Sequence, residues 1–208
     1  LRLDMKKDNK GADILLVRRA KKGDFRAFDL LVTKYQAKII SISHRLVKDI
    51  NIAEDMAQET FIKAYKVLDS FREESAFYTW IYRIAVNTSK NYLISRGRSK
   101  ENTESEMHTD FSNSILELEG QDSPEDLLLA DNLKDLINAE LNDLPEEIRT
   151  CLTLREYEGL SYAEISNILD CPVGTVRSRI FRGREVLSQA IKENILVKKP
   201  INKYYEET

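Results

Sequence analysis

The sequence predicts an all-α protein of two small helical domains joined by an acidic flexible linker, with a helix-turn-helix in the C-terminal domain. Two observations favour helices over strands. The 208-residue chain has only 7 Gly and 4 Pro, which is few for a fold rich in turns. Apolar residues recur at helical spacing, and no segment alternates as a half-buried strand does. Hydrophobic residues make up 42% of the chain, which is enough for packed cores at this length.

The net charge of −3 hides three blocks of different charge. Residues 1–98 contain 20 Lys and Arg against 12 Asp and Glu, residues 99–146 contain 2 against 14, and residues 147–208 contain 10 against 9. A block of −12 therefore separates blocks of +8 and +1. This asymmetry predicts phosphate-binding faces at both ends of the chain.

The first domain is predicted over residues 11–95. A short helix over 14–22 precedes Asp24, which is the expected N-cap of a long second helix. The apolar face of that second helix is formed by Phe28, Leu31, Tyr35, Ile39, Ile42 and Leu46.

The second half of this domain is predicted to contain two more helices. Asn51 followed by Glu54 resembles a capping box that opens a helix to about Leu68. A loop over 69–75 leads to a helix that ends near Ser95. The apolar stripe of the helix after Asn51 consists of Ala53, Ala57, Phe61, Ala64 and Leu68.

Residues 96–123 are predicted to be the linker, because they are polar, acidic and weakly periodic. The second domain is predicted over 124–198 and begins with a helix at Pro124. Pro145 is expected to start another helix, and Gly159 to close it at the C′ position.

A helix-turn-helix is predicted after Gly159. Ser161 and Glu164 form a capping box at the start of a short helix, and residues 170–173 make the turn. In the next helix, the buried stripe is expected to be Val176, Ile180, Gly183 and Leu187. The rest of its surface carries Arg177, Ser178, Arg179, Phe181, Arg182 and Arg184.

This arginine-rich surface has the chemistry of a recognition helix. Guanidinium groups can fork onto guanine O6 and N7 in the major groove or hold phosphates, while Ser178 and Phe181 can contact base edges and a thymine methyl group. A solvated basic helix face is the structural alternative. The capped helix and turn that precede it favour DNA reading.

Residues 71–91 form a second unusual segment, in which aromatic and basic residues interleave. Flat rings can stack on bases and cations can hold the backbone, as single-stranded DNA binding requires. Core packing is the alternative for some of the rings, among them Trp80 and Tyr92. From the residues alone, both interpretations stay open.

Six stretches of the two domains carry a resemblance to a known family. They are DMAQETFIKAY at 55–65, DSFR at 69–72, SAFYTWIYRIAVN at 75–87, LPE at 144–146, GLSY at 159–162 and CPVGTVRSRIFR at 171–182. Together they resemble conserved regions two and four of the extracytoplasmic-function sigma factors of bacterial RNA polymerase, and are closest to the envelope-stress members. The resemblance extends from Leu16 to Leu187, excluding the linker.

The resemblance implies three binding surfaces. Region two would dock on the clamp coiled coil of the largest polymerase subunit through Asp55, Gln58, Glu59 and Ile62. It would melt and hold the minus-ten promoter element through Phe71, Arg72, Phe77, Tyr78, Trp80, Arg83, Asn87 and Lys90. Region four would contact the polymerase flap and read the minus-thirty-five element through Arg155, Thr175, Arg177, Ser178, Arg179, Phe181, Arg182 and Arg184.

The resemblance also implies partners and a location. Core RNA polymerase, promoter DNA and an anti-sigma factor anchored in the membrane are the expected partners. No signal peptide and no run of about 18 apolar residues stands in the sequence, so a cytoplasmic protein is expected, held at the inner membrane by that inhibitor.

Two other classes of protein are the alternatives. A stand-alone helix-turn-helix regulator would bind paired half-sites on duplex DNA without polymerase. An enzyme acting on nucleic acid would need a catalytic cluster. No carboxylate cluster, Gly-rich phosphate loop or Cys/His site is visible, and Cys151 and Cys171 are too far apart for a metal or redox motif. No metal, cofactor or enzymatic activity is therefore expected.

Overall fold

A computed structural model describes the chain over residues 2–100 and 124–197, with side-chain surroundings for residues 11–97, 133 and 135–194. Within these ranges all regular secondary structure is helical, which confirms the predicted class. Most of the predicted linker, residues 101–123, lies outside the described residues.

Eight α-helices follow one another in the described ranges, with a 3₁₀ turn at Leu68–Ser70 and a π-helical turn at Thr153–Tyr157. They are α1 (Arg2–Lys21), α2 (Phe25–Val47), α3 (Ile50–Lys66), α4 (Phe77–Lys100), α5 (Pro124–Asp143), α6 (Glu146–Leu152), α7 (Tyr162–Leu169) and α8 (Val173–Val197). Two compact units result. The first contains α1 to α4 and residues 160–173, and the second contains α5, α6 and α8.

The starts of α2 and α3 are set by two aspartates. The Asp24 carboxylate accepts a hydrogen bond from the Ala27 amide, which confirms the predicted N-cap. At α3 the N-cap is Asp49, which accepts from the amides of Asn51 and Ile52. The predicted capping box of Asn51 with Glu54 is therefore wrong, because Asn51 already lies inside the first turn.

The core of the first unit lies between α2, α3 and α4. Ala53, Ala57, Phe61, Ala64 and Leu68 are all buried, as the spacing in α3 predicts. At α4 the prediction is wrong in length, since the helix continues past Ser95 to Lys100. Gly97 lies inside the helix without breaking it, at a cost of about 1 kcal/mol relative to Ala.

A buried carboxylate joins α1 to α2. Asp13 is 1% exposed and accepts hydrogen bonds from Lys34 Nζ and the Tyr35 hydroxyl, each at 2.5 Å. Burial, and then the carboxylate of Asp13, raise the pKa of Tyr35 above its ordinary value. This cluster holds α1 against α2. The α1 helix is longer than the helix predicted over 14–22.

The second unit is built on α6 and the π-helical turn that continues it. Pro145 precedes α6 as predicted, and Gly159 adopts a φ of 62°, the left-handed conformation expected at C′. Gly183 of α8 faces α6: a Cβ added there would lie 2.9 Å from both Ile148 Cγ2 and Leu152 Cγ. The glycine therefore allows α8 to approach α6 closely.

Candidate nucleic-acid interface

The helix that precedes the turn has the predicted start. The Ser161 hydroxyl accepts from the Glu164 amide at 3.2 Å, and the Ser161 amide donates to the Glu164 carboxylate at 2.7 Å. This reciprocal pair is the capping box of α7. It satisfies two amide groups that would otherwise lack partners at the helix start.

The turn after α7 is closed by local hydrogen bonds. Asp170 adopts a left-handed φ of 49°, a conformation that Asp tolerates better than most residues. The Ser166 hydroxyl donates to the Cys171 carbonyl at 2.6 Å, and the Cys171 amide donates back to the Ser166 carbonyl at 3.2 Å. The chain then enters α8 at Val173, as the predicted helix-turn-helix requires.

The first half of α8 separates apolar from basic side chains. Val176 and Ile180 are at most 1% exposed, and Gly183 is also buried, whereas Leu187 is half-buried. We call the opposite surface the arginine face. It consists of the exposed Arg177, Ser178, Phe181, Arg182 and Arg184 with the half-buried Thr175 and Arg179.

Phe181 and the arginines give this face its chemistry. The Phe181 side chain is 61% exposed, which is unusual for an aromatic ring and leaves it available to an apolar contact. Between Val173 and Arg184 the helix carries four arginines and no acidic residue. Such a surface can bind phosphates and fork onto guanine edges.

Arg155 and Glu156 lie on the π-helical turn of the second unit. Arg155 is half-buried. Glu156 Oε1 accepts from Arg184 Nε at 3.0 Å and from Arg184 Nη2 at 2.6 Å. The sequence predicted a role for Arg155 and Arg184 and missed Glu156, because a π-helical turn has no recognisable spacing in the sequence.

The rings of the α4 segment are mostly core residues. Phe71, Phe77 and Trp80 are 3%, 1% and 7% exposed. Their ring centroids lie 5.2–6.0 Å apart, and the Tyr35 ring lies 5.6 Å from Phe77. These rings therefore stabilise the fold, and Phe71 and Trp80 also line a polar cleft.

The polar members of the same segment are on the surface. We call Arg72, Tyr78, Arg83, Asn87 and Lys90 the α4 face: Arg72, Arg83 and Asn87 are exposed, and Tyr78 and Lys90 are half-buried. Arg72 and Arg83 line one polar cleft. The Tyr78 hydroxyl donates to the Glu164 carboxylate. Burial, and then this carboxylate, raise the pKa of Tyr78 to about 12.

Four exposed side chains form a ridge along α3. We call Asp55, Gln58, Glu59 and Ile62 the α3 ridge; Ile62 is 55% exposed. Glu59 forms an ion pair with Lys63 at 2.7 Å. An aromatic pair that the sequence analysis missed lies one turn beyond Ile62. There Phe25, 67% exposed, lies with its ring 5.9 Å from that of Tyr65.

Comparison with known proteins identifies the family. Residues 31–99 match Sigma-70 region 2, and residues 134–187 match Sigma-70, region 4. Over 86% of its length the chain is 50% identical to the RNA polymerase sigma-H factor of Pseudomonas aeruginosa and 48% identical to the ECF RNA polymerase sigma-E factor of Escherichia coli K12, covering 94% of each. The chain belongs to the extracytoplasmic-function sigma factors.

Solved structures agree with this fold. CnrH in complex with the cytosolic domain of CnrY superposes with a TM-score of 0.62 at 23% identity, over 88% of this chain and 98% of that one. The sigma factor RpoE in complex with the anti-sigma factor NepR from Bartonella quintana superposes with a TM-score of 0.64 at 24% identity, over 79% and 96%. The resemblance to regions two and four is confirmed.

As a sigma factor, the protein is a non-enzymatic transcription initiation factor that acts with RNA polymerase at promoters. In the ranges that the structure describes, no three His, Cys, Asp or Glu side chains are grouped to hold a metal ion. None of the described helices is long and apolar enough to cross a bilayer.

Proposed function

We propose that this sigma factor directs core RNA polymerase to promoters of envelope or extracytoplasmic stress genes through the α3 ridge, the α4 face and the arginine face. One observation carries the proposal. The exposed arginines occupy the first half of a helix that follows a capped helix and a tight turn. This is the arrangement with which helix-turn-helix proteins place a recognition helix in the major groove.

The arginine face, with Arg155, would read the minus-thirty-five element as duplex. Residues in the first turns of a recognition helix contact base edges, which assigns that task to Arg177, Ser178, Phe181 and Arg182. Side chains further along the helix or beside it, such as Arg184 and Arg155, suit phosphates. Phosphate contacts position the protein, and base contacts give specificity.

The α4 face would hold the melted minus-ten strand. Its exposed cations, Arg72 in the loop before α4 and Arg83 on α4, line a cleft, and the exposed Asn87 lies one turn beyond Arg83. Single-strand binding combines such cations with aromatic platforms. Phe71, Phe77 and Trp80 would support the shape of the cleft, and an extruded base would need a ring among them to become accessible.

The α3 ridge would dock on the clamp coiled coil of the largest subunit, while the second domain contacts the flap. Carboxylates at Asp55 and Glu59 complement a basic partner surface, and Ile62 supplies an apolar contact at its end. Charge complementarity of this kind orients two partners and speeds their association.

An anti-sigma factor would control these surfaces. Two structural neighbours, CnrH and RpoE, were solved with CnrY and with the anti-sigma factor NepR, which supports an inhibitor for this chain as well. We place the sigma factor in the cytoplasm, held at the inner membrane by a membrane-anchored inhibitor until stress releases it. An inhibitor that covers the α3 ridge would exclude polymerase.

Transcription in vitro with core polymerase tests the assignment of the arginine face. On a promoter with an intact minus-thirty-five element, Arg177→Ala and Arg182→Ala should each lose about 1–3 kcal/mol of binding, the value of a base contact. On a promoter with that element scrambled, both variants should match the wild type. Lys192→Ala, an exposed cation in the second half of α8, is the matched control.

The same assay separates promoter reading from polymerase binding. The double variant Asp55→Lys, Glu59→Lys should lose transcription from both promoters and should not be retained by core, while its circular dichroism is unchanged. Equal losses for Arg177→Ala on both promoters would contradict base reading. Core retention of the double variant at the wild-type level would contradict the α3 ridge.

A further inference from the structure

The ion pair between Glu156 and Arg184 places a negative charge against the arginine face. Both atoms of the Arg184 fork that bond Glu156 reach a single carboxylate oxygen, at 3.0 and 2.6 Å. In the described residues, neither Arg177 nor Arg182 forms an ion pair. On this helix Arg184 is therefore paired with a carboxylate, whereas Arg177 and Arg182 are not.

The fold fixes Glu156 at this position. The α-helical hydrogen bonding of α6 ends at Leu152, and the chain widens into the π-helical turn. Within that turn Thr153 and Leu154 are 3% and 0% exposed, whereas Glu156 is exposed. The buried pair anchors the turn and presents Glu156 at the surface. Such π-helical turns are rare and are frequent at functional sites.

Arg184 belongs to the same flank of α8 as Arg177. The two residues are seven positions apart, which is two helical turns, so their side chains leave the helix in nearly the same direction. Bases are read mainly by the first turns of a recognition helix. Arg184 lies beyond them, and a phosphate is the partner that suits it.

We propose that Glu156 limits the phosphate affinity of the second domain: it holds Arg184 in an ion pair and so weakens binding to duplex DNA of any sequence. This inference rests on the DNA-reading role proposed for the arginine face. Non-specific affinity comes from cations that displace counterions from phosphates. An arginine already paired with a carboxylate contributes less to that affinity, whereas the base contacts of Arg177 and Arg182 are untouched. Binding to every duplex is therefore weaker, while discrimination between sequences is left to the base contacts.

The test uses holoenzyme assembled from core polymerase and the full chain, with duplex fragments that carry an intact or a scrambled minus-thirty-five element. Glu156→Gln keeps the shape of the side chain and removes its charge. Affinity for the scrambled fragment should rise about three- to tenfold, and the slope of log affinity against log salt should steepen by about one. Affinity for the intact fragment should rise by the same factor, because a phosphate contact carries no sequence information.

Two controls isolate the pair. Glu147→Gln makes the same charge change at an exposed position in the first turn of α6 and should leave both affinities unchanged. Arg184→Ala in the Glu156→Gln background should abolish the gain on scrambled DNA. The proposal is overturned by an unchanged or lower affinity of Glu156→Gln for the scrambled fragment, by an equal gain in Glu147→Gln, or by a gain that survives without Arg184.

The experiment also separates this inference from the function on which it rests. If Arg177→Ala retains full discrimination between the two fragments, the role of the arginine face itself is wrong. If Arg177→Ala loses discrimination and Glu156→Gln leaves both affinities unchanged, only the role of Glu156 is wrong.

Discussion

The segment that opens α4 and the first half of α8 have similar compositions and opposite geometries. Both combine aromatic rings with arginines. In the first segment Phe77 and Trp80 are 1% and 7% exposed, whereas in α8 the ring of Phe181 is 61% exposed. Composition alone therefore does not separate a ring that builds a core from a ring that can contact DNA.

Helical spacing does separate them. Phe77, Ile81 and Ala85 follow one another at four-residue intervals, and all three are buried. Phe77 thus extends an apolar stripe, and the spacing of apolar residues along the whole helix predicts it. Phe181 lies one position after the buried Ile180 and so falls off its stripe. A ring outside the apolar stripe is the better candidate for a contact with DNA.

Truncation of each ring tests whether Phe77 builds the core and whether Phe181 contacts DNA. Phe77→Ala should lower the free energy of unfolding by about 3–5 kcal/mol, because a fully buried ring leaves a cavity. Phe181→Ala should change it by less than about 0.5 kcal/mol, as exposed positions usually do, and should weaken only recognition of the minus-thirty-five element. Denaturation followed by circular dichroism measures the first effect, and transcription in vitro measures the second.

Two results would reverse the assignment of the rings. A stable Phe77→Ala protein with impaired promoter melting would make that ring a DNA contact. A Phe181→Ala protein that unfolds early would make the exposed ring structural.

The predictable parts of the fold and the site are those with local patterns. Asp24, the capping box of Ser161 with Glu164, and the stripe from Val176 to Gly183 follow from spacing and capping chemistry, because their partners are a few residues away. The cap of α3 is Asp49 and not the predicted Asn51, because the cap position depends on where the preceding helix ends. That is a tertiary property.

The parts that could not be predicted depend on distant contacts. Glu156 meets Arg184 across 28 positions of sequence, and the π-helical turn that carries it is set by packing around Leu154. The burial of Trp80 depends likewise on Phe71, which belongs to a preceding loop. Sequence spacing within one helix contains no information about either contact.

Gly183 tests how closely the buried stripe of α8 packs. It lies on that stripe, on the side of the helix opposite the arginine face. Gly183→Leu should destabilise the second unit by about 1–3 kcal/mol, because the space next to Ile148 and Leu152 is filled. Gly183→Ala should also destabilise it, though less than Gly183→Leu: the added Cβ would lie 2.9 Å from Ile148 Cγ2 and Leu152 Cγ, and the gain of up to about 1 kcal/mol in helix propensity offsets only part of that crowding. Thermal unfolding of both variants checks this, and a stable Gly183→Leu protein would contradict the close packing.

The smallest expected effect concerns pH. Burial, and then the nearby Arg45, lower the pKa of His44 on α2 below its ordinary value. As the pH falls, His44 is therefore protonated in the unfolded chain at a higher pH than in the folded protein. The contribution of His44 to stability is complete above about pH 6.5 and is lost as the pH falls through that value towards the folded pKa, below which it changes no further. Arginines do not titrate in this range, so the charge of the arginine face stays constant.

An NMR titration of His44 measures this pKa directly. The difference in unfolding free energy between the wild type and His44→Gln, followed from pH 8 to pH 5, should carry the predicted sign. A pKa at or above about 6.5 would show that the imidazole is not desolvated as the packing of α2 implies.

The Asp13 cluster limits where a fragment of the first domain can begin. The stretch that matches Sigma-70 region 2 begins at residue 31, yet Lys34 and Tyr35 both donate to a carboxylate that lies upstream of it. A fragment trimmed to the shared stretch would lose that acceptor and uncover the part of α2 on which α1 packs. The fragment would also lose the burial of Val17 and Ala20 against the rest of the domain, at about 25 cal/mol for each Å² of apolar surface returned to water. The start of the Sigma-70 region 2 match and the start of the folding unit therefore differ by a whole helix, and an expression fragment of the first domain should begin ahead of Asp13.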